Sequence, residues 1–466
     1  MPRQIYPTLK KVYMPILVGG FIMALIPGCR FFENWENPFA LSDRKEYKII
    51  VEPLETRQVE WSGWSAIEQG NGLLTLRHVP AAGGRTLSCM IHEDDVFWVN
   101  DQWRGQRRPA DAQETGIDFG GNYLAIGPQR SWSLQQQPFN PNAGPWQAEI
   151  ENQDALSHTV RMTSRPGTLR GATVEMERSI TMHRGNTHVR IEQKATNRGP
   201  DSIDFLLRTV TEIDGLRRRT ADQPLRRLSF FFPVPLLDGV KKYRPILSLQ
   251  TQTGTHFDAS LPEDVLAVHY GGQAVQVISD SRKGWIAAVD RQSGWTFIKT
   301  LDALESAGYV DQHGPIELAT GAMDRAQNLA VNRMELLGGF QRCRPGADIA
   351  QIEHWYAAVC QGPILAVTSV GAACEPLALR QEKEYIDVSG RFAVFYRGLA
   401  RLAVLDHRDR ELFVGEPIPI DPRQELLINA TLPVKDKADV VVLRIHDYLD
   451  EPVGELAREH LRMVGR

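Results

Sequence analysis

Val174-Glu-Met-Glu-Arg-Ser-Ile-Thr-Met182, followed after a short polar break by His188-Val-Arg-Ile-Glu-Gln-Lys-Ala195, decides the fold class. Apolar and polar side chains alternate in both stretches, and successive side chains of a strand point to opposite faces of a sheet. A helix would need apolar positions three and four apart. Two such stretches joined by Arg184-Gly185-Asn186 read as neighbouring antiparallel strands, with one face buried and one wet.

The same pattern extends outward. Tyr47-Lys-Ile-Ile-Val51 and Gly72-Leu-Leu-Thr-Leu-Arg77 read as strands, and Gly284–Asp290 with Trp295–Lys299 reads as a hairpin turned by Ser293 and Gly294. Only Asp348–Val359 and Gly454–Met463 read as helices. No strand–helix rhythm of a parallel α/β fold is present, so the chain reads as all-β. Gly338-Gly339 and Arg344-Pro345-Gly346 punctuate the sequence; beyond them lie Ile364–Val370, Phe392–Tyr396, Leu402–Leu405, Leu426–Leu432 and Val440–Ile445, enough strands for a second, smaller β-sandwich. The expected division is a large β-domain over 46–340 and the smaller sandwich over 341–466.

The chain has 466 residues, 42% apolar and 24% charged, a globular composition too long for one ordinary core. Its net charge of −4 gives no global electrostatic reason to expect nucleic acid as a partner. Lys10-Lys11 precede an uncharged run, Val12–Ile26, which ends at Leu25-Ile-Pro-Gly-Cys29. A basic start, a short apolar core and a small residue before the cut describe an export signal over 1–29. The run falls short of the ~20 residues of a spanning helix. Residues 30–45 lack periodicity and suit a tether.

Cys89, Cys343, Cys360 and Cys374 leave two readings open, disulfides or buried thiols, and their spacing matches no zinc site. Arg217, Arg218, Arg219, Arg226 and Arg227 form a cluster that suits either an acidic ligand or a solvated loop. Phosphate-cradling loops, metalloprotease helices, nucleophile elbows and EF-hands are absent, and no cofactor or metal is expected.

Between Val96 and Trp146 stand four of the ten tryptophans, Trp98, Trp103, Trp132 and Trp146, interleaved with Asn122, Gln129 and Arg130. Sugars present apolar C–H faces and a rim of hydroxyls, so flat rings beside amides and cations suit them. Trp and amides also serve ordinary cores and turns. Gly120-Gly121-Asn122, Gly127-Pro128-Gln129 and Trp132, followed by a loop ending at Pro145-Trp146, resemble uncharacterised bacterial families of galactose-mutarotase-like domains, as do Arg184–Arg190 and Ala195–Gly199. Leu25–Cys29 likewise resembles the bacterial lipoprotein box, with Pro27 a departure from its usual small residue.

The first resemblance implies a supersandwich over 46–340 and a sugar-sized groove lined by Trp98, Trp103, Asn122, Gln129, Arg130, Trp132 and Trp146. True mutarotases pair a histidine with a glutamate as acid and base. Glu317 stands where the family glutamate is expected, and His269, with His188 and His313 as alternatives, is the candidate partner; the family's catalytic histidine motif is missing. The second resemblance implies a lipid on Cys29 and a place at the bacterial cell envelope. Together they describe an exported, membrane-tethered carbohydrate-binding protein. A sugar-acting enzyme using a His/Glu pair and an envelope protein docking a protein partner are the rivals.

Overall fold

The alternation of Val174–Met182 becomes a ladder: Ala172–His183 pairs antiparallel with Val189–Asn197, from Val174 opposite Asn197 to Met182 opposite Val189. Val174, Met176, Ile180 and Met182 turn inward with Val189 and Ile191. The computed structural model describes residues 47–461 apart from 108–117, 128–143, 170–171, 218–223, 248–254, 263, 303–307, 310–313, 325–326, 328 and 434. Lys48–Arg466 is one compact unit.

Two large antiparallel sheets make its main body. One, of twelve strands, runs in the order Glu55–Trp61, Trp64–Gly70, Leu74–Val79, Arg85–Ile91, Asn122–Gly127, Ile203–Asp214, Val331–Leu337, Ile316–Thr320, Val275–Ser279, Arg244–Leu247, with two short strands attached. The other has eleven strands; Trp285–Asp290, Trp295–Leu301, Asp348–Val359, Val189–Asn197 and Ala172–His183 lie consecutively at its middle. Their facing sides share one core. Phe97, Phe297 and Trp355 meet edge to face there, with centroids 5.4–5.7 Å apart, contacts worth about 0.5–1.5 kcal/mol each beyond area burial.

A four-stranded and a five-stranded sheet follow, built from Ala366–Val367, Gly371–Gln381, Tyr385–Val394 and Leu426–Pro433, and from Gly398–Asp406, Glu411–Val414, Ile418–Ile420, Ala438–His446 and Pro452–His460. They enclose their own core of Val388, Phe392, Leu402, Val441 and neighbours. Phe395, Ala393 and Cys374 cluster with Phe231, Ala267 and Tyr356, so this second sandwich packs on the outer face of the eleven-stranded sheet.

Three expectations change. Tyr47–Val51 joins no sheet. Asp348–Val359, read above as helical, is a strand, and the expected helix Gly454–Met463 is replaced over most of its length by the strand Pro452–His460. Asp348–Val359 pairs on both sides, with Trp295–Leu301 and Val189–Asn197, and its second half, Trp355–Ala358, is buried on both faces, which removes the period-two signature there. In Pro452–His460 two register shifts interrupt the alternation, and pairing overrides the helix-forming Glu-Leu-Ala-Arg-Glu. The large sheets therefore extend to Val359, past the glycine punctuation at 338–346. The Ser293-Gly294 hairpin is as expected, with Gly294 at φ +81° and Asp290 accepting from Gln292 N and Ser293 Oγ.

Candidate functional site

Ile203–Asp214 runs through the centre of the twelve-stranded sheet, and its alternation sorts its side chains. Phe205, Leu207 and Ile213 enter the core, so Arg208, Val210 and Glu212 occupy the opposite, outer face. Register adds their neighbours on that face. Tyr123 and Glu335 lie opposite Val210 from either side, Arg333 lies opposite Glu212, and Glu317 lies opposite Glu335. Arg85 and Asp118 complete a row of charged groups across five adjacent strands.

The row is tightly connected. Arg333 donates from Nε and Nη2 to Glu212 Oε1 at 3.1 and 2.7 Å, and its Nη2 lies 3.5 Å from Asp118 Oδ2. Arg85 Nη1 donates to Asp118 Oδ1 at 3.2 Å and to Gly120 O at 2.7 Å, and its guanidinium stacks 3.8 Å over the Tyr123 ring. Arg208 Nε donates to Glu335 Oε2 at 3.1 Å, and Nη2 reaches the same oxygen.

Three arginines thus face four carboxyl groups, and the local fields separate these. Burial, with Asp118 beside it, pushes the Glu212 carboxyl up to about 8. At neutral pH it holds a proton. Burial also acts to raise Glu335, but Arg208 and Arg333 outweigh it and keep the group below the usual range. Asp118 is lowered in the same way, Arg85 and Arg333 prevailing over burial. Glu212 Oε2 is buried and has no hydrogen-bond partner among the described residues. The arrangement can hold a polar ligand between fixed donors and acceptors, and it keeps one buried acid protonated where proton transfer would need it.

Glu317, expected from sequence, is buried on this face, with the Arg208 charge nearby. His269 is elsewhere. Ile316 and Leu318 share a core with Leu266 and Val268, whereas His269 projects with Val265, Ala267 and Phe231 from the far side of the eleven-stranded sheet, bonded to Ser229 Oγ at 2.7 Å. Glu317 and His269 therefore stand on opposite outer faces of the sandwich and share no space. His188 is on the same side as His269, its Nε2 2.9 Å from His354 Nδ1. His313 lies outside the described residues.

The proposed groove residues scatter too. Asn122 turns into the core, its Nδ2 donating to Val210 O and Thr211 Oγ1 while its Oδ1 and backbone oxygen accept from the buried Arg178. Trp146 is a core residue. Its ring lies where a Cβ on Gly84 would come within 2.4 Å. Trp98 is buried, and its carbonyl leaves no room for a side chain at Gly120, where a Cβ would sit 2.2 Å away; Gly120 and Gly121 both take positive φ. Trp103 is half-buried against Phe119, centroids 6.2 Å apart. Gln129, Arg130, Trp132 and Cys29 lie outside the described residues.

Arg226, from the arginine cluster, is buried between Asp94 and Asp290 at 3.3 and 3.4 Å and sits over Trp295, a structural role. Arg217 lines a cavity of about 530 Å³ together with His92, Trp295 and Arg423. Among the described residues no group of three or more His, Cys, Asp or Glu is arranged to hold a metal.

Sequence reading missed Arg85, Asp118, Tyr123, Arg208, Glu212, Arg333 and Glu335. A signal existed in Leu206-Leu-Arg-Thr-Val-Thr-Glu-Ile213 and Val331-Asn-Arg-Met-Glu-Leu-Leu337, where charges occupy alternate positions inside strongly apolar strands.

No protein-family model matches the sequence, and no curated protein matches it. Solved structures similar to it include a candidate aldose 1-epimerase from Klebsiella pneumoniae, 11% identical with a TM-score of 0.46 over 66% of this chain and 84% of that one. A galactose mutarotase-like protein from Clostridium acetobutylicum is 8% identical with a TM-score of 0.39 over 66% and 99%. A galactose mutarotase related enzyme from Lactobacillus acidophilus is 8% identical with a TM-score of 0.38 over 67% and 100%.

Proposed function

We propose that the outer face of the twelve-stranded sheet binds carbohydrate, in a protein that is exported and held at a bacterial membrane by a lipid on Cys29. The observation that carries the sugar reading is the row from Arg85 to Glu317. Its guanidinium and carboxyl groups are held by one another beside the Tyr123 and Phe119 rings. Sugar hydroxyls both donate and accept, and preorganised charged partners hydrogen-bond them without paying side-chain ordering entropy on binding. Lys10-Lys11, the apolar run and Cys29 support the membrane tether.

The test is a glycan array followed by calorimetry on the detergent-solubilised full-length protein and its Arg333→Ala variant, with thermal melting to confirm that the variant folds. Binding by the wild type and at least tenfold weaker binding by a folded Arg333→Ala protein is the expected result. A silent array, or equal affinity in the two proteins, sinks the proposal. Product analysis of each bound sugar addresses the enzyme reading, which the protonated Glu212 favours; altered sugar would assign acid–base work to this row instead of the separated Glu317 and His269.

A further inference from the structure

We propose that Cys360 and Cys374 form a disulfide that ties the eleven-stranded sheet to the second sandwich. Cys360 follows the Asp348–Val359 strand, and Cys374 lies within Gly371–Gln381, the strand of the four-stranded sheet that pairs with Tyr385–Val394. The chain between them doubles back, Leu365 N donating to Ala373 O at 2.8 Å and Ala366 pairing with Ala373. Both cysteines end in one apolar cluster, fully buried and as free thiols. Thr296 Oγ1 lies 3.2 Å from Cys360 Sγ. The remaining described cysteines have other surroundings: Cys343 Sγ lies 3.2 Å from Ala347 O, and Cys89 is in the core between the large sheets.

The inference rests on the export reading, because an oxidising compartment supplies the chemistry. A thiolate from one cysteine attacks the disulfide of an exchange catalyst or of glutathione disulfide. The second cysteine then displaces the mixed disulfide. The protein loses two hydrogen atoms as its sulfur–sulfur bond forms. The oxidant takes up both electrons and both protons and leaves as two thiols. Since neither sulfur is exposed in the folded protein, closure belongs to folding, before the second sandwich docks. The ring it closes spans the single crossing from one core to the next, so the bridge limits how far the second sandwich can separate from the sheet.

The test uses the full-length Cys29→Ser chain, which leaves four cysteines. One sample is exported through its own signal; the other is made reduced in the cytoplasm and refolded with a glutathione redox mixture. Each is denatured without reductant, labelled with N-ethylmaleimide and weighed intact. Two labels are expected in both samples, and three on the Cys360→Ala variant. Reductant is expected to lower the Tm of the exported protein by several degrees while leaving Cys360→Ala/Cys374→Ala unmoved. Four labels in both samples, or a single label instead of three on Cys360→Ala or on Cys374→Ala, overturn the pairing. Two labels after refolding with four from cells would uphold the pairing and overturn the export reading.

Discussion

Glu212 lies between Asp118 and Arg333 with no exposure, and the proton it retains links stability to pH. Its ordinary value is 4.5 and its folded value about 8. Between these the folded protein holds a proton that the unfolded chain has released, so this group's contribution is full below 4.5 and is lost as pH rises toward 8, by about 1.4 kcal/mol per unit. Glu212→Gln keeps an acceptor for Arg333 and has no proton to lose. Urea unfolding of both proteins from pH 5 to 8 should show the wild type declining relative to the variant by on the order of 3 kcal/mol. Parallel curves would remove Glu212 from the role of buried acid. His78 carries the opposite sign: fully buried, bonded to Thr86 Oγ1 and Gln69 Oε1, it is lowered to about 3 by burial and by the Arg178 charge. Its stabilising effect is full above 6.5 and disappears as pH falls toward 3.

Three strands of the eleven-stranded sheet repeat this at larger scale. His183, His188 and His354 stack with Tyr356 on its outer face, with ring centroids 5.1–5.3 Å apart. Burial, then the neighbouring His183, His354 and Arg190, lowers His188 to about 3. The unfolded chain takes up a proton below 6.5 that the folded one refuses, so at pH 5 His188 should account for roughly 2 kcal/mol of lost stability. His188→Gln should lose correspondingly less between pH 7 and 5 in denaturant titrations. Between the sheets, Lys299 Nζ lies 2.8 Å from Glu353 Oε1, both without exposure, and also donates to Thr209 and Thr211. Lys299→Met leaves Glu353 uncompensated and should cost about 3–5 kcal/mol, with Lys299→Met/Glu353→Met costing less than the sum of the single changes. Strictly additive losses would mean that the pair is not coupled. Strands with one wet face, such as Val174–Met182, were legible because their alternation survives; Asp348–Val359, whose Trp355–Ala358 half is buried on both faces, was not. The charged row could not be assembled from sequence, since Arg85, Glu212 and Arg333 are more than a hundred residues apart and meet only through strand order. Glu317 lies on the outer face that carries this row, whereas alternation and sheet membership place His269, its expected partner, on the opposite outer face.

For the molecule as a whole, the strand from Asp348 to Val359 matters most, because it fills the middle of a sheet whose flanking strands come from Val189–Asn197 and Trp295–Leu301. A chain ending at Phe340 lacks it and should fail to fold, giving a broad, non-cooperative melt by near-ultraviolet circular dichroism and rapid digestion by protease. A cooperative transition in that truncated chain would show that the large sandwich closes without its central strand. The same placement bears on biosynthesis. A growing chain emerges from the ribosome with Val189–Asn197 long before the partner that must lie beside it, so the eleven-stranded sheet cannot be completed until more than three quarters of the polypeptide exists. Contacts so distant along the chain form slowly. On the export proposed above, the nascent polypeptide would still be open when it meets a translocation pore, and slow closure would lengthen the time available for threading.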